Sequence, residues 1–83
     1  MTPLQENILI TLEKNSSLCF RDFSKAGYVR THRHFQNSIK IFITKDFIKG
    51  YMRRINGERF KRKYYELTPK GSLMAKLLIR LRA

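Results

Sequence analysis

Hydrogen-bonding side chains recur at helical spacing between residues 31 and 44 of this 83-residue chain. At about 100° per residue, four of them share one side of a helix: Arg33, Asn37, Lys40 and Thr44. Arg33 can form two hydrogen bonds with guanine, and Gln36, at the edge of this side, or Asn37 can do the same with adenine. Lys40 and Thr44 suit phosphates. Taken alone, the pattern fits nucleic-acid contact and a solvated polar face equally well.

A second group of residues carries concentrated charge. The segment from Lys49 to Lys63 has seven basic residues and one acidic residue, Glu58, so its net charge is 7 − 1 = +6. The basic residues are Lys49, Arg53, Arg54, Arg59, Lys61, Arg62 and Lys63. Packing so much like charge together costs stability unless a polyanion neutralises it. Charged edge strands also deter aggregation, but a few lysines suffice for that. The segment therefore predicts phosphate contacts.

The charge of the whole chain is one-sided. Eighteen Lys and Arg residues against six Asp and Glu give a formal charge of +12. Residues 1–29 hold three basic and three acidic groups, whereas residues 30–83 hold fifteen basic and three acidic groups. A basic excess confined to one part of a small domain favours nucleic acid as the partner. A basic surface that serves stability or non-specific adhesion is the other explanation.

Catalytic and metal-binding arrangements are not visible in the sequence. His32 and His34 are two positions apart, so on a helix they point in different directions. Cys19 is the single cysteine, and no further ligand has the spacing of a four-ligand site. No Ser/His/Asp order, glycine-rich phosphate loop or carboxylate pair is present. We expect a protein that is not an enzyme and has no cofactor or metal, with both histidines near phosphates at a helix N-terminus.

The elements that position these residues begin with three helices. Thr2, Pro3 and Gln5 predict a capped helix start, and Leu4, Ile8 and Leu12 form its apolar stripe. A short apolar stub at Leu18–Phe20 and a second helix over Arg21–Ala26 follow, and Gly27 ends that helix. Thr31 caps a third helix over His32–Lys45. Its core side is formed by Phe35, Ile39 and Phe42.

A hairpin and a fourth helix complete the chain. Gly50–Ile55 predicts a strand, Asn56-Gly57 a tight turn, and Glu58–Leu67 the returning strand. Thr68-Pro69 repeats the helix-start pattern and opens a helix to about Arg82. One domain, residues 1–83, is expected, because the chain is too short for a second core. The class is α+β, in the order helix, short strand, helix, helix, strand, strand, helix.

This order resembles the winged helix-turn-helix family over essentially the whole chain. Such domains usually show an apolar residue, three residues, a glycine and two apolar residues before the hairpin. Here Phe42, Asp46, Phe47 and Ile48 fit that pattern with Asp in place of Gly, and Asp tolerates a left-handed backbone comparatively well. The segment Tyr65–Gly71, YELTPKG, is similar to the family's entry into its last helix.

The resemblance implies sequence-specific binding of double-stranded DNA by a transcriptional regulator. Helix 3 would enter the major groove, and the basic hairpin (Lys49–Lys63, called the wing below) would grip the backbone or the minor groove. The residues expected to contact DNA are Thr31, His32, Arg33, His34, Gln36, Asn37, Lys40, Thr44, Arg53, Arg54, Arg59, Lys61, Arg62 and Lys63. An architectural DNA- or RNA-binding domain and a protein-interaction domain are the alternatives.

Apolar surface on the terminal helices predicts a homodimer. The last helix has a broad apolar arc, and the first helix has apolar residues outside its main stripe, more than a small core needs. The expected interface residues are Leu9, Ile10, Met74, Leu78, Ile79 and Leu81. The longest apolar runs have three residues, such as Ile8–Ile10, so we expect no membrane span. A cytoplasmic location without a secretion signal and no small-molecule ligand are also expected.

Overall fold

The computed structural model describes residues 1–25, 27, 31–54 and 56–82 of the chain. Within them the helices are α1 (Pro3–Lys14), α2 (Phe20–Lys25), α3 (His32–Thr44) and α4 (Pro69–Arg82). The strands are β1 (Leu18–Cys19), β2 (Ile48–Arg53) and β3 (Arg62–Leu67), and they form one antiparallel sheet in the order β1-β3-β2. The predicted α+β class and element order are confirmed.

The N-terminal helix starts where its capping residues predict. The Thr2 hydroxyl accepts the Gln5 backbone N–H at 3.2 Å, and the Gln5 side chain accepts the Thr2 N–H at 3.1 Å. This reciprocal pair satisfies two backbone donors that would otherwise lack partners. Ile8 and Leu12 of the predicted stripe are buried, and Leu4 packs against the core.

The third helix is set by its cap and its apolar side. The Thr31 hydroxyl accepts the His34 backbone N–H at 3.2 Å, and the helix ends at Thr44, one residue before the predicted end. Phe35, Ile39 and Phe42 are 0–2% exposed, as predicted for the core side. The chain therefore presents the opposite side of α3 to solvent.

The second helix begins one residue earlier than predicted, at Phe20, and is described to Lys25. Its predicted last residue, Ala26, lies outside the described residues. Gly27 adopts φ +86° and donates its N–H to the Ser24 carbonyl at 3.1 Å. The positive φ, which glycine adopts without strain, confirms this residue as the stop of α2.

Asp46 terminates α3 in the left-handed conformation, with φ 62°. Its N–H reaches the Ile43 carbonyl at 3.0 Å, and the Phe47 N–H reaches the Phe42 carbonyl at 2.8 Å. These two bonds form a Schellman motif. The Phe42 and Phe47 rings, 6.1 Å apart, supply the hydrophobic contact that accompanies such an ending. The predicted backbone geometry at Asp46 is confirmed, and it turns the chain from α3 into β2.

The hairpin differs from the prediction in its loop. Strand β3 starts at Arg62 instead of Glu58, and the last strand pair is Arg53 with Arg62. Strand β2 begins at Ile48 and ends at Arg53, and Ile55, its predicted end, lies outside the described residues. This register pairs Lys49 with Glu66 and Tyr51 with Tyr64. Those opposite-charge and aromatic pairs stabilise the sheet, whereas a two-residue turn at Asn56-Gly57 would set Lys49 opposite Tyr64 and Tyr51 opposite Arg62, so both pairs would be lost.

The junction of sheet and last helix centres on Thr68. Its hydroxyl accepts the Gly71 backbone N–H at 3.1 Å and donates to the Asp46 carbonyl, and its own N–H bonds the Phe47 carbonyl at 3.0 Å. One residue thus caps α4 and ties it to the turn after α3. Tyr65, 2% exposed, completes the core from the central strand by packing its ring 5.6 Å from that of Phe35.

Candidate nucleic-acid interface

The polar side of α3 lies in solvent. All the residues assigned to it from the sequence are exposed, namely Arg33, Asn37, Lys40 and Thr44. The Thr44 hydroxyl donates to the Lys40 carbonyl at 2.9 Å, which leaves its oxygen lone pairs as acceptors. Arg33 and Asn37 occupy the N-terminal half of the helix, the half that reaches base edges when such a helix enters a major groove.

Gln36 and His32 are held by neighbouring residues at the edge of this face. Gln36 is half-buried, and its Nε2 lies 3.1 Å from His32 Nε2 and 3.4 Å from the Tyr65 hydroxyl. The His32 ring meets the Phe20 ring edge-on at 4.6 Å. Both residues therefore fix α3 against the rest of the domain, and Gln36 has less freedom to contact a base than Asn37. His34, which points in a different direction from His32 on the same helix, is exposed.

The wing contains both paired and unpaired charges. The Glu66 carboxylate lies 2.8 Å from Lys49 Nζ and raises the pKa of Lys49. The Glu58 carboxylate lies 3.2 Å from Arg62 Nε. Among the described residues these are the ion pairs of the wing. Its other five basic side chains remain available to a polyanion: Arg53, Arg54, Arg59, Lys61 and Lys63.

Aromatic residues stiffen the base of the wing. The rings of the cross-strand neighbours Tyr51 and Tyr64 stack at 6.2 Å with an interplanar angle of 23°. The Arg53 guanidinium lies 5.8 Å from the Tyr64 ring centre, and the Lys63 amine lies 5.9 Å from that of Tyr65. Cations over aromatic faces are attracted to them while staying in water. These contacts hold two of the five available charges in defined positions.

An open cleft of about 300 Å³ connects the helix with the wing. Its basic and imidazole side chains are Arg21, His32, Arg62 and Lys63, and Tyr65 lies on its floor with Gln36. Because Tyr65 contacts Gln36 of α3 and Lys63 of the wing, the two surfaces are fixed relative to one another. The edge of α3, through His32 and Gln36, and the base of the wing, through Arg62 and Lys63, thus line one cleft.

Sequence reasoning missed two exposed residues of this region. Arg21 of α2 lines the cleft, and nothing in the sequence distinguished it from other helix residues. Phe60 lies in the wing loop with 72% of its surface exposed. Its position between Arg59 and Lys61 was the available signal, because an apolar ring among charges in a loop has no core to enter.

On the terminal helices, the structure corrects the predicted dimer surface. Leu9 is completely buried and belongs to the core, so its assignment to an interface was wrong. Met74 and Leu78 are half-buried and pack against the core. The exposed apolar stripe of α4 consists instead of residues four positions apart, with 66%, 52% and 82% exposure: Leu73, Leu77 and Leu81. Of the six residues first assigned, Leu81 alone lies on this stripe.

The remaining two predicted interface residues lie in a groove between the terminal helices. Ile10 and Ile79 are half-buried and line it together with Lys14 and Arg82. Arg82 also bonds Glu6 at 2.9 Å, which ties the end of α4 to the first turn of α1. These helices pack against each other within one chain, and this packing explains much of the apolar surface that the sequence left unassigned.

No metal-ligand cluster of three or more His, Cys, Asp or Glu side chains occurs among the described residues. Cys19 is buried, and its Sγ lies 3.3 Å from an Asp22 carboxylate oxygen. None of the helices in the described part of the chain is long and apolar enough to cross a membrane.

Comparison with known proteins identifies the fold. No family profile and no curated protein sequence matches the chain. Among solved structures, the adhesin competence repressor AdcR of Streptococcus pyogenes matches with a TM-score of 0.81 at 23% identity, over 99% of this chain and 57% of that one. The F-93 protein of SSV1 matches at 0.68 and 26% identity, over 98% and 87%.

A transcriptional regulator homologue from Pyrococcus horikoshii is a further match, with a TM-score of 0.77 at 22% identity over 95% of this chain and 75% of that protein. The chain thus spans between about half and nine-tenths of the lengths of these relatives. Element order, strand order and these likenesses agree, and the chain has the winged helix-turn-helix fold.

Proposed function

We propose that this chain is a sequence-specific double-stranded DNA-binding protein that acts as a transcriptional regulator. The observation that carries the proposal is the exposed surface of two elements that line one cleft: the polar face of α3 and the wing, which has five basic side chains outside its two ion pairs. The names of the structural neighbours, a repressor and a transcriptional regulator homologue, support the regulatory role.

In the proposed complex the two parts of this surface have different tasks. The N-terminal half of α3 enters the major groove, where Arg33 and Asn37 offer the donors and acceptors that distinguish base pairs. The wing offers almost pure positive charge, which suits phosphates or the negative potential of the minor groove. Thr31 and His34 lie at the helix start, where backbone N–H groups attract a phosphate.

A homodimer follows from the leucine stripe of α4. Leu73, Leu77 and Leu81 form an exposed apolar row. Its exposure to water is energetically unfavourable, and a second copy of the same helix would cover it. A two-fold axis through such a contact uses the same surface on both copies. Two copies of α3 would then read two half-sites of a palindromic sequence.

Titration with salt tests DNA binding itself. Five wing cations and Lys40 give about six phosphate contacts, which predicts an affinity loss of roughly a thousandfold between 50 and 200 mM salt. The measurement is fluorescence anisotropy of a labelled duplex that the chain selects from a random pool. A binding curve that hardly moves with salt contradicts the proposal and favours a protein-interaction domain.

Paired variants test the division of tasks. Arg53→Gln with Arg54→Gln should weaken binding to every duplex about equally and flatten the salt slope by about one unit per lost contact. Asn37→Ala should cost about 1–3 kcal/mol on the selected sequence and much less on a scrambled one. The control, Lys76→Gln with Arg80→Gln, removes the same charge from α4 and should change binding little.

The outcomes separate the alternatives. Wing variants that change sequence preference while Asn37→Ala does not would reverse the two assignments. Affinities that remain equal for selected and scrambled duplexes in every variant favour an architectural DNA-binding protein. Tighter binding to structured RNA than to any duplex favours the RNA-binding alternative.

A further inference from the structure

Phe60 is an exposed aromatic residue in the loop of the wing. It lies in the loop between the last strand pair, Arg53 with Arg62, and 72% of its surface is exposed. Phenylalanine is among the residues most often buried in folded proteins. The Arg59 guanidinium lies 5.6 Å from the centre of the Phe60 ring, and this contact leaves the ring exposed to water. The core therefore does not account for this side chain.

The charges around Phe60 define the kind of partner. Arg59 and Lys61 flank it in sequence, and both are exposed. The one carboxylate of the loop belongs to Glu58, which lies 3.2 Å from Arg62 Nε at the base of the loop. The loop thus presents an apolar ring surrounded by cations, and its negative charge is neutralised. A polyanion that also exposes flat apolar surfaces matches both properties.

We infer that Phe60 inserts between base pairs from the minor groove of duplex DNA. This inference rests on the proposed function and adds a second mode of contact to the wing. Apolar side chains placed at a minor groove unstack a base step and kink the duplex, by about 20–90° in proteins that do so. Arg59 and Lys61 hold the phosphates on either side, so the ring enters at the point that these two charges define. Steps that deform readily, such as TA and CA, accept the ring at the lowest cost.

Insertion of Phe60 gives the wing a role in sequence preference that needs no hydrogen bonds to bases. The cost of unstacking depends on the step, so the loop favours flexible steps at a fixed distance from the bases under α3. This distance is fixed because Tyr65 joins the wing to α3. A wing that only neutralises phosphates would show no such preference.

Fluorescence of 2-aminopurine tests the insertion. This base analogue becomes brighter when it is unstacked, and it is placed at one position after another in the duplex selected by the unmodified chain. Energy transfer between dyes at the duplex ends measures the bend. The variants are Phe60→Ala, Phe60→Leu, which retains an apolar wedge, and the control Met52→Ala, which removes another exposed apolar side chain of the wing (57% exposed).

The unmodified chain should brighten the analogue at one base step and shorten the end-to-end distance. Phe60→Ala should abolish both signals and weaken binding by about tenfold, while Phe60→Leu retains part of each signal and Met52→Ala retains both. Thermal melting of the variants should match that of the unmodified chain, since the ring is exposed.

Three results would overturn the inference. If the chain binds the duplex without brightening the analogue at any position, Phe60 does not insert between bases. The same conclusion follows if the brightening persists in Phe60→Ala. In both cases duplex binding itself is unaffected. A loss that is larger on single-stranded than on duplex DNA identifies Phe60 as a platform for unpaired bases instead. Failure of the unmodified chain to bind any duplex refutes the proposed function together with the insertion.

Discussion

Gly71 lies in the first turn of α4, against the main chain of Phe47. A Cβ atom at this position would be 1.9 Å from the Phe47 carbonyl oxygen and 2.8 Å from its carbonyl carbon. Real Cβ contacts stay above 3.0 Å, so Gly71→Ala must separate the start of α4 from the start of β2 by about 1 Å in a packed interior. This close approach is the physical reason for glycine in the YELTPKG segment.

The size of the effect follows from three contributions. Overpacking of this kind costs about 1–3 kcal/mol. The separation also stretches the hydrogen bond from the Thr68 N–H to the Phe47 carbonyl, 3.0 Å long, which contributes about 1 kcal/mol. Alanine has a higher helix propensity than glycine, and this difference stabilises the helix by about 1 kcal/mol. The expected net loss of about 2 kcal/mol lowers the Tm of a domain of this size by about 8–16 °C.

Circular dichroism followed during heating measures this Tm, and urea unfolding measures the free energy. Arg80→Ala is the matched control, because it places alanine at an exposed position of the same helix and should change the free energy of unfolding by less than about 0.5 kcal/mol. A Gly71→Ala protein that melts at or above the temperature of the unmodified chain would show that helix and strand separate without cost. The reasoning from the close contact would then be wrong.

Three further predictions concern other positions. Asp46→Gly should stabilise the domain by about 0.5 kcal/mol, because glycine adopts the left-handed conformation without strain; a lower Tm would contradict this. Thr31→Ala should cost about 1 kcal/mol in urea unfolding through loss of the cap of α3, and Thr31→Ser should cost much less. Leu77→Glu should convert a dimer into folded monomers in analytical ultracentrifugation, since burying an unpaired charge is costly; an unmodified chain that sediments as a monomer at micromolar concentration would refute the interface.

Helix starts and stops could be predicted because the bonds that make them are local. Thr2, Thr31 and Thr68 each accept an N–H from three residues further along the chain. At the end of α3, the Asp46 N–H bonds the carbonyl three residues earlier and the Phe47 N–H bonds the carbonyl five residues earlier. Residue types within a few positions are sufficient to recognise such features.

The register of the wing depends on residues far apart in sequence. Asn56-Gly57 signals a turn, and Gly57 does adopt φ +88°. However, β2 ends several residues before this turn and β3 begins several residues after it. The Lys49–Glu66 ion pair and the Tyr51–Tyr64 stack are formed across the sheet. A local turn signal carries no information about such cross-strand pairs, so the length of the loop could not be predicted.

The apolar faces of α1 and α4 illustrate a different limit. Helical periodicity gives the angle between side chains, but it does not give the number of neighbours around the helix. Helix α1 packs against both α4 and β3, so Leu9, outside the predicted stripe, is buried as deeply as Ile8 within it. Helix α4 also packs against two elements, α1 and β3, yet Leu73 and Leu77 remain in solvent although they lie within its apolar arc.

The central position of β3 in the sheet determines how late during synthesis the domain can fold. Within the described residues, strand β1 pairs with β3 alone, Leu18 with Tyr65 and Cys19 with Tyr64, although α2, α3 and β2 are synthesised between them. When the growing chain has emerged from the ribosome only as far as α3, β3 is still missing. Strand β1 then lacks its partner, and Phe35 lacks the Tyr65 ring that packs against it. Such non-local pairing delays folding, so α3 can pack against the Tyr65 ring only after β3, in the last third of the chain, has emerged.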